Sequence, residues 1–137
     1  MKFLVMVKNA PEKEGQLPSL EAMAKMARYN EELVKAGVMK QGEGLMPSAA
    51  GAKMSWRGGK RTVTDGPFTE ARELVGGFWI WECASKDEAL AWAEKIPFID
   101  DADIEIRQIA SMEHYAPNDP DGKIAARQAK LREKLEE

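Results

Sequence analysis

The stretch Phe78-Trp79-Ile80-Trp81 is apolar at every position, and so is the stretch Phe3-Leu4-Val5-Met6-Val7 near the start of the chain. Successive side chains of a β-strand point to opposite faces of the sheet, so a sheet with one wet face alternates apolar and polar residues. Neither stretch alternates in this way. Both therefore predict strands that are covered on both faces, because each large apolar side chain left in water would forgo roughly 1.5–3 kcal/mol.

Two helices are also predicted, one after each of these strands in the sequence. Ser19 has the position of an N-cap, and Gly37 is placed to end the first helix. Ser85 and Glu88 have the spacing of a capping box, and Pro97 is placed to end the second helix. In the first helix, one apolar face is predicted from the spacing of Met23, Met26, Ala27, Leu33 and Val34.

The remaining segments complete a recognisable order of elements. Gly58-Gly59 joins two short runs and predicts a β-hairpin, while Gly76-Gly77 indicates a bulge or a close backbone approach. The other predicted elements are strands at Val38–Leu45, Glu73–Cys83 and Asp103–Ile109 and a last helix at Lys123–Glu137. This order is that of the ferredoxin-like split βαβ unit. The sequence thus predicts an α+β fold, a βαββαβ antiparallel sheet with a hairpin insertion and a C-terminal helical arm.

Two helices can cover only one face of such a sheet. Beyond the predicted domain, residues 1–115, the chain has only a linker and C-terminal helix, residues 116–137, to spare. A second copy is therefore expected to cover the other face, so that the protein forms a homodimer through the sheet face.

Composition narrows the class of protein. The chain has 137 residues, about the size of one domain, with 44% hydrophobic residues and a net charge of −3. That charge argues against a nucleic-acid partner, whose binding surface is usually basic. No apolar run approaches the ~18 residues of a membrane helix. Cys83 is the one cysteine, which excludes an internal disulfide and suggests a cytoplasmic location.

One segment carries a family resemblance. The run Val63-Thr64-Asp65-Gly66-Pro67-Phe68-Thr69-Glu70-Ala71-Arg72-Glu73-Leu74-Val75-Gly76-Gly77-Phe78 resembles the YCII-related, DGPF-domain family, and the resemblance extends from Lys2 to about Ile109. It implies a dimeric ferredoxin-like α+β barrel. For part of the family it also implies an active site built on a helix histidine and an aspartate. The first helix here, Ser19 to Ala36, contains no histidine, so that dyad is not expected.

Asp65 is the predicted catalytic residue. It ends a strand at a tight turn, and rigid strands commonly present reactive side chains at such turns. The alternative is that its carboxylate accepts hydrogen bonds from the backbone two residues further on and only shapes the turn.

Four more residues are candidate substrate ligands. Glu70 and Arg72 follow Asp65 closely; Arg72 could hold an anionic substrate while a carboxylate such as Glu70 acts as a base, or the segment could be a solvated surface. Asn30 lies on the apolar stripe of the first helix and either reaches a pocket or is a satisfied boundary amide. His114, the one histidine, either acts as a near-neutral base or lies at a surface.

These residues leave two functions open. The first is a small-molecule-binding protein or enzyme with a pocket near Asp65. The second is a non-catalytic accessory module that binds a protein partner through the basic hairpin or the C-terminal arm; some relatives are encoded beside sigma factors. One histidine and one cysteine do not supply a clustered metal site, and the sequence predicts neither a metal nor a cofactor.

Overall fold

The computed structural model describes residues 1–97 and 101–136. Its strands are β1 (Lys2–Asn9), β2 (Met39–Gly44), β3 (Ala52–Arg57), β4 (Lys60–Asp65), β5 (Leu74–Glu82) and β6 (Asp103–Gln108). Its helices are α1 (Leu20–Lys35), α2 (Lys86–Ala93) and α3 (Lys123–Glu136), with short 3-10 helices at Pro11–Lys13, Ser48–Ala50 and Met112–Asn118. Glu137, the predicted last residue of the final helix, lies outside the described residues.

The sheet has the ferredoxin-like topology that the sequence predicts. Four antiparallel strands lie in the order β2-β5-β1-β6, and β3 pairs with β4 in a separate two-stranded hairpin. Gly58 and Gly59 both adopt positive φ at the hairpin turn. Among the described residues the strands form no closed barrel, so a barrel would need a second copy of the chain.

The two apolar strands are the central pair. β1 and β5 are antiparallel neighbours, with Phe3 opposite Trp81 and Val5 opposite Trp79. These four side chains are at most 6% exposed and form the core together with buried residues of both helices. Between Val7 and Lys8 the register shifts, so Gly76 is left unpaired as the predicted bulge.

The other face of the central pair is also apolar. Leu4 lies opposite Ile80 and Met6 lies opposite Phe78, and all four side chains stay partly exposed. The residues of β6 opposite Leu4 and Met6 on this face are Arg107 and Glu105. Both faces of these strands are thus apolar, and the second face is accessible in the single chain, so its coverage by a second copy stays a prediction.

The apolar face of α1 differs from the predicted one. Met23, Ala27 and Val34 are exposed, whereas Tyr29 and Leu33 are buried and Met26 packs against the core. The physical reason is that Tyr29 fills the space between the sheet and α2. Its hydroxyl donates a 2.6 Å hydrogen bond to the Trp92 carbonyl, which rotates α1 away from the predicted stripe.

The helix ends follow the predicted caps with one exception. Ser19 accepts a hydrogen bond from the Ala22 N–H, and Ser85 accepts one from the Glu88 N–H. α2 ends at Ala93, four residues before Pro97. The N–H groups of Lys95 and Ile96 bond to carbonyls three residues back, so the last turn before Pro97 has 3-10 geometry.

The hydrogen bond between Tyr29 and Trp92 is expected to hold α1 to α2. Burial raises the pKa of Tyr29, so its hydroxyl keeps its proton and remains a donor well above neutral pH. Replacing Tyr29 by Phe should lower the free energy of unfolding by about 1–2 kcal/mol, because the hydrogen bond between the two helices is lost and the Trp92 carbonyl is left with the Lys95 N–H as a partner. Urea denaturation measures this loss.

Tyr115 provides the matched control, since it is the other tyrosine of the chain and is 55% exposed. Tyr115→Phe should leave the unfolding midpoint within about 0.5 kcal/mol of the wild type. Equal effects of the two substitutions would contradict the role assigned to Tyr29.

Candidate functional site

A cavity of about 230 Å³ lies where α1 crosses the β2–β5 side of the sheet. We call it the α1 cavity. It is lined by one residue of β1, two of α1 and two short runs of β2 and β5, namely Val7, Met26, Asn30, Gly42–Gly44 and Gly77–Trp79. Most of these side chains are apolar or absent, and Asn30 is the uncharged polar side chain among them.

Glycines explain why space is left at this edge. A Cβ atom on Gly42 would lie 2.9 Å from Cδ1 of Trp79 and 2.6 Å from Cε of Met39, closer than real Cβ contacts. On β5, a Cβ atom on Gly77 would lie 3.0 Å from the Glu43 carbonyl oxygen. These positions accept no ordinary side chain without a shift of their neighbours, so the backbone itself forms the wall of the cavity.

Asn30 is held in one orientation by Trp79. The indole Nε1–H can only donate, and it lies 2.9 Å from Oδ1 of Asn30. The amide NH2 group therefore points away from the indole, and no residue in the described part of the chain accepts a hydrogen bond from it. The prediction of a satisfied boundary amide is thus half met: the oxygen is satisfied, and two N–H donors remain beside the cavity.

Residues 65–68, which we call the DGPF turn, are anchored through Ser48. The Ser48 N–H and hydroxyl both donate to the Glu14 carboxylate, at 2.8 and 2.6 Å, and Oγ of Ser48 accepts the Phe68 N–H at 3.0 Å. Phe68 is buried, and a Cβ atom on Gly66 would overlap the Ser48 carbonyl oxygen. Ser48 thereby joins the loop after β1 to the turn after β4.

Asp65 lies exposed at the end of β4 and does not line the α1 cavity. Within residues 1–97 and 101–136 its carboxylate has no hydrogen bond or ion pair. The turn-capping alternative is not met, because the residue two positions on is Pro67, which has no N–H, and the Phe68 N–H bonds to Ser48. A role for Asp65 in binding or catalysis stays a prediction.

Glu70 and Arg72 are exposed in the segment between β4 and β5. Glu70 forms a 3.7 Å ion pair with Lys53, whose ammonium also lies 4.4 Å from the centre of the Phe68 ring. The structure therefore ties Glu70 to the hairpin and brings neither Glu70 nor Arg72 to the α1 cavity.

His114 lies in the 3-10 helix Met112–Asn118. This helix is near the start of β1, whereas the α1 cavity is near the end of β1. His114 lines a second cavity of about 460 Å³ together with residues of both termini of the chain. The five predicted site residues are thus spread over three places: Asn30 in the α1 cavity, His114 in the second cavity, and the other three on the exposed hairpin and loop.

Cys83 is buried. Burial raises the pKa of the Cys83 thiol, with a smaller contribution from the Glu88 carboxylate of α2. In the described ranges, no three His, Cys, Asp or Glu side chains lie close enough to hold a metal ion.

Sequence reasoning missed residues that shape the α1 cavity and the turn after β4. The sequence identifies Trp79 only as part of an apolar strand, although its indole N–H orients Asn30. Ser48 and Glu14 gave no sequence signal, because they lie 34 residues apart in loops. The glycines of β2 and β5 did give a sequence signal, since glycine inside a strand indicates close backbone approach.

The fold and the α1 cavity together define a ferredoxin-like α+β domain with a small pocket at one side of its sheet. The sequence matches the YCII-related domain over residues 1–113. Since this match covers most of the chain, the protein belongs to the YCII-related family.

A similar protein occurs in Rhizobium meliloti (strain 1021), where it is described as uncharacterized. It is 35% identical to this chain over 74 residues. Those residues make up 54% of this chain and 60% of that protein, so the likeness spans less than two thirds of the relative's length. In the part of the chain that the structure describes, no helix combines the length and apolarity needed to span a membrane.

The Ser48 anchor is expected to order the DGPF turn. Ser48→Ala removes the hydroxyl group that donates to the Glu14 carboxylate and accepts from the Phe68 N–H. We expect a loss of about 1–3 kcal/mol in the free energy of unfolding. Amide hydrogen exchange at Phe68 should accelerate strongly.

Ser55 of β3 serves as the control, because it is also partly buried and Ser55→Ala leaves the Glu14–Ser48–Phe68 hydrogen bonds intact. Unchanged exchange at Phe68 in Ser48→Ala would show that the turn is ordered by something other than Ser48.

Proposed function

We propose that this YCII-related protein binds a small organic molecule in the α1 cavity. The observation that carries the proposal is the Asn30 amide, whose oxygen is held by Trp79 and whose two N–H donors remain unpaired among described residues at the cavity wall. A polar group fixed in one orientation within a mostly apolar pocket is the usual arrangement for ligand recognition.

The lining restricts the chemistry of the ligand. Val7, Met26 and Trp79 offer apolar contacts, while Asn30 offers hydrogen-bond donors. The volume of about 230 Å³ lies below the ~300–1,000 Å³ of drug-sized sites. We therefore expect a small, largely apolar molecule that carries a carbonyl or carboxylate oxygen as the acceptor for Asn30.

Replacing Asn30 is the direct test of this site. Asn30→Asp keeps an oxygen for the Trp79 N–H but loses both donors, and Asn30→Leu loses the oxygen as well. We expect both variants to weaken ligand binding by about tenfold or more, since a ligand acceptor would be left unpaired. Asn30→Asp should also retain more stability than Asn30→Leu.

The measurement uses ¹³C-methyl methionine NMR with a panel of alkyl and aryl carboxylates, amides and ketones. The chain has eight methionines, and the Met26 methyl, assigned by Met26→Leu, reports on the α1 cavity. Glu31→Leu, an exposed neighbour on α1, should bind as the wild type does. No saturable shift of Met26 with any compound, or equal losses in Asn30→Leu and Glu31→Leu, would refute the proposal.

Asp65→Asn can be measured in the same titrations. Since Asp65 is exposed and lies outside the α1 cavity, weakened binding in Asp65→Asn would extend the site toward the DGPF turn. Unchanged binding would restrict the site to the α1 cavity.

We also propose that the accessible sheet face binds a second copy of the chain. Support comes from the cross-strand pairs Leu4–Ile80 and Met6–Phe78, which place four partly exposed apolar side chains on one patch. The Lys8 ammonium, 2.8 Å from the Glu105 carboxylate, forms an ion pair with it near one edge of this patch. A twofold axis through the patch would bury it against itself and close the two sheets into a dimeric barrel.

Ile80→Asp tests the dimer. A twofold interface would contain two buried, unpaired carboxylates, so dimer affinity should fall by roughly 1,000-fold or more. Multi-angle light scattering at micromolar concentration should change from twice the 15.3 kDa chain mass to that mass. Circular dichroism checks that the fold is kept.

Leu90→Asp is the control, because Leu90 is an exposed apolar residue of α2 outside the sheet. It should remain dimeric. A wild-type protein that is monomeric at these concentrations would refute the dimer, and so would dissociation of Leu90→Asp to the same degree.

A further inference from the structure

The second cavity, of about 460 Å³, lies at the start of β1 and the end of β6, where α3 passes over the 3-10 helix Met112–Asn118. Its size falls within the ~300–1,000 Å³ range of small-molecule sites. Residues far apart in the sequence build it: Lys2 from β1, Gln108 from β6, His114 from the 3-10 helix and Arg132 from α3.

The charged groups that line this cavity are mostly cationic. Lys2 and Arg132 contribute two positive charges, and Glu113 contributes one negative charge. Neither the Lys2 ammonium nor the Arg132 guanidinium forms an ion pair with any residue in 1–97 or 101–136. Two cations that face one concave space without a partner carboxylate favour an anionic occupant.

His114 adds a donor of defined direction. The Ser111 backbone N–H lies 3.0 Å from Nδ1 of His114. A backbone amide can only donate, so Nδ1 holds a lone pair and the proton of the neutral ring lies on Nε2. Nδ1 is thus engaged by Ser111, and Nε2–H is the remaining donor of a ring that lines the cavity.

We infer that this second cavity is a binding site for a small organic anion, a phosphate or a carboxylate, held by Lys2, Arg132 and the Nε2–H of His114. The guanidinium fork of Arg132 matches the paired oxygens of either group. The site is separate from the α1 cavity and differs from it in that two cationic side chains line it.

Because His114 is the one histidine, its imidazole gives a single set of NMR signals that reports directly on the site. Titration with inorganic phosphate, pyrophosphate and citrate, at ionic strength held constant with sodium chloride, should shift the His114 Cε1–H signal saturably with at least one probe. The relative affinities of phosphate, pyrophosphate and citrate show which anionic group the site prefers. A ¹⁵N-edited spectrum of the ring should show the Nε2–H tautomer.

Arg132→Gln and Lys2→Gln should each weaken the binding by about fivefold or more, because each removes one charge-assisted hydrogen bond. Arg127→Gln removes the same charge from the same helix at a position that does not line the cavity, and should change the affinity by less than about twofold. The inference is overturned if none of the three anions gives a saturable shift, if Arg127→Gln weakens binding as much as Arg132→Gln, or if the ring carries its proton on Nδ1.

Discussion

The pairing of β1 with β5 is the constraint on which the rest of the structure depends. Trp79 and Trp81 lie one pleat apart on β5 and face Val5 and Phe3 of β1, so one side of the sheet has to be covered by both helices. The bulk of Trp79 then limits the size of the residue that can lie opposite it on β2. Gly42 of β2 lies opposite Trp79, where a Cβ atom would collide with the indole, and the space left there opens into the α1 cavity.

The same indole links the core to the candidate ligand site. Trp79 is 6% exposed, so its N–H would cost free energy if it were left without an acceptor, and Asn30 supplies one. That bond fixes the side chain of Asn30 and decides which end of the amide is free. A change in core packing at Trp79 would therefore alter both the apolar wall of the α1 cavity and the donor that Asn30 presents to a ligand.

Much of the fold could be predicted because its signals are local. Gly58-Gly59 specifies the hairpin, Ser19 and Ser85 specify helix starts, and Gly76 specifies the bulge, each through the conformation or hydrogen bonds of a few neighbouring residues. The inward face of α1 could not be predicted in this way. Its apolar arc is wider than the sheet contact, and the hydroxyl of Tyr29, bonded 63 residues away, selects which part is buried.

The candidate sites were harder to predict for the same reason. Asn30 and His114 were both recognised as polar residues in suggestive places, but their partners are specified only by the fold. Asn30 meets an indole 49 residues away, and the cations beside His114 come from the first strand and the last helix. Asp65 shows the reverse case, because its turn has a strong local sequence pattern. In the described chain, the hydrogen bond from the Phe68 N–H to Ser48 orders this turn, and the Asp65 carboxylate is left in solvent.

The two cavities lie at opposite ends of β1. Val7 lines one and Lys2 lines the other, and the five residue-to-residue steps of extended chain between them span about 17 Å. The strand between them pairs with a neighbour on each side and contains the fully buried Val5, so it acts as a rigid spacer. A ligand in one cavity would touch no residue of the other, and occupation of the two sites should be independent unless α1 and α3 move together. Since α3 contains no buried residue, an anion bound by Arg132 would add a contact that fixes this helix to the body of the domain.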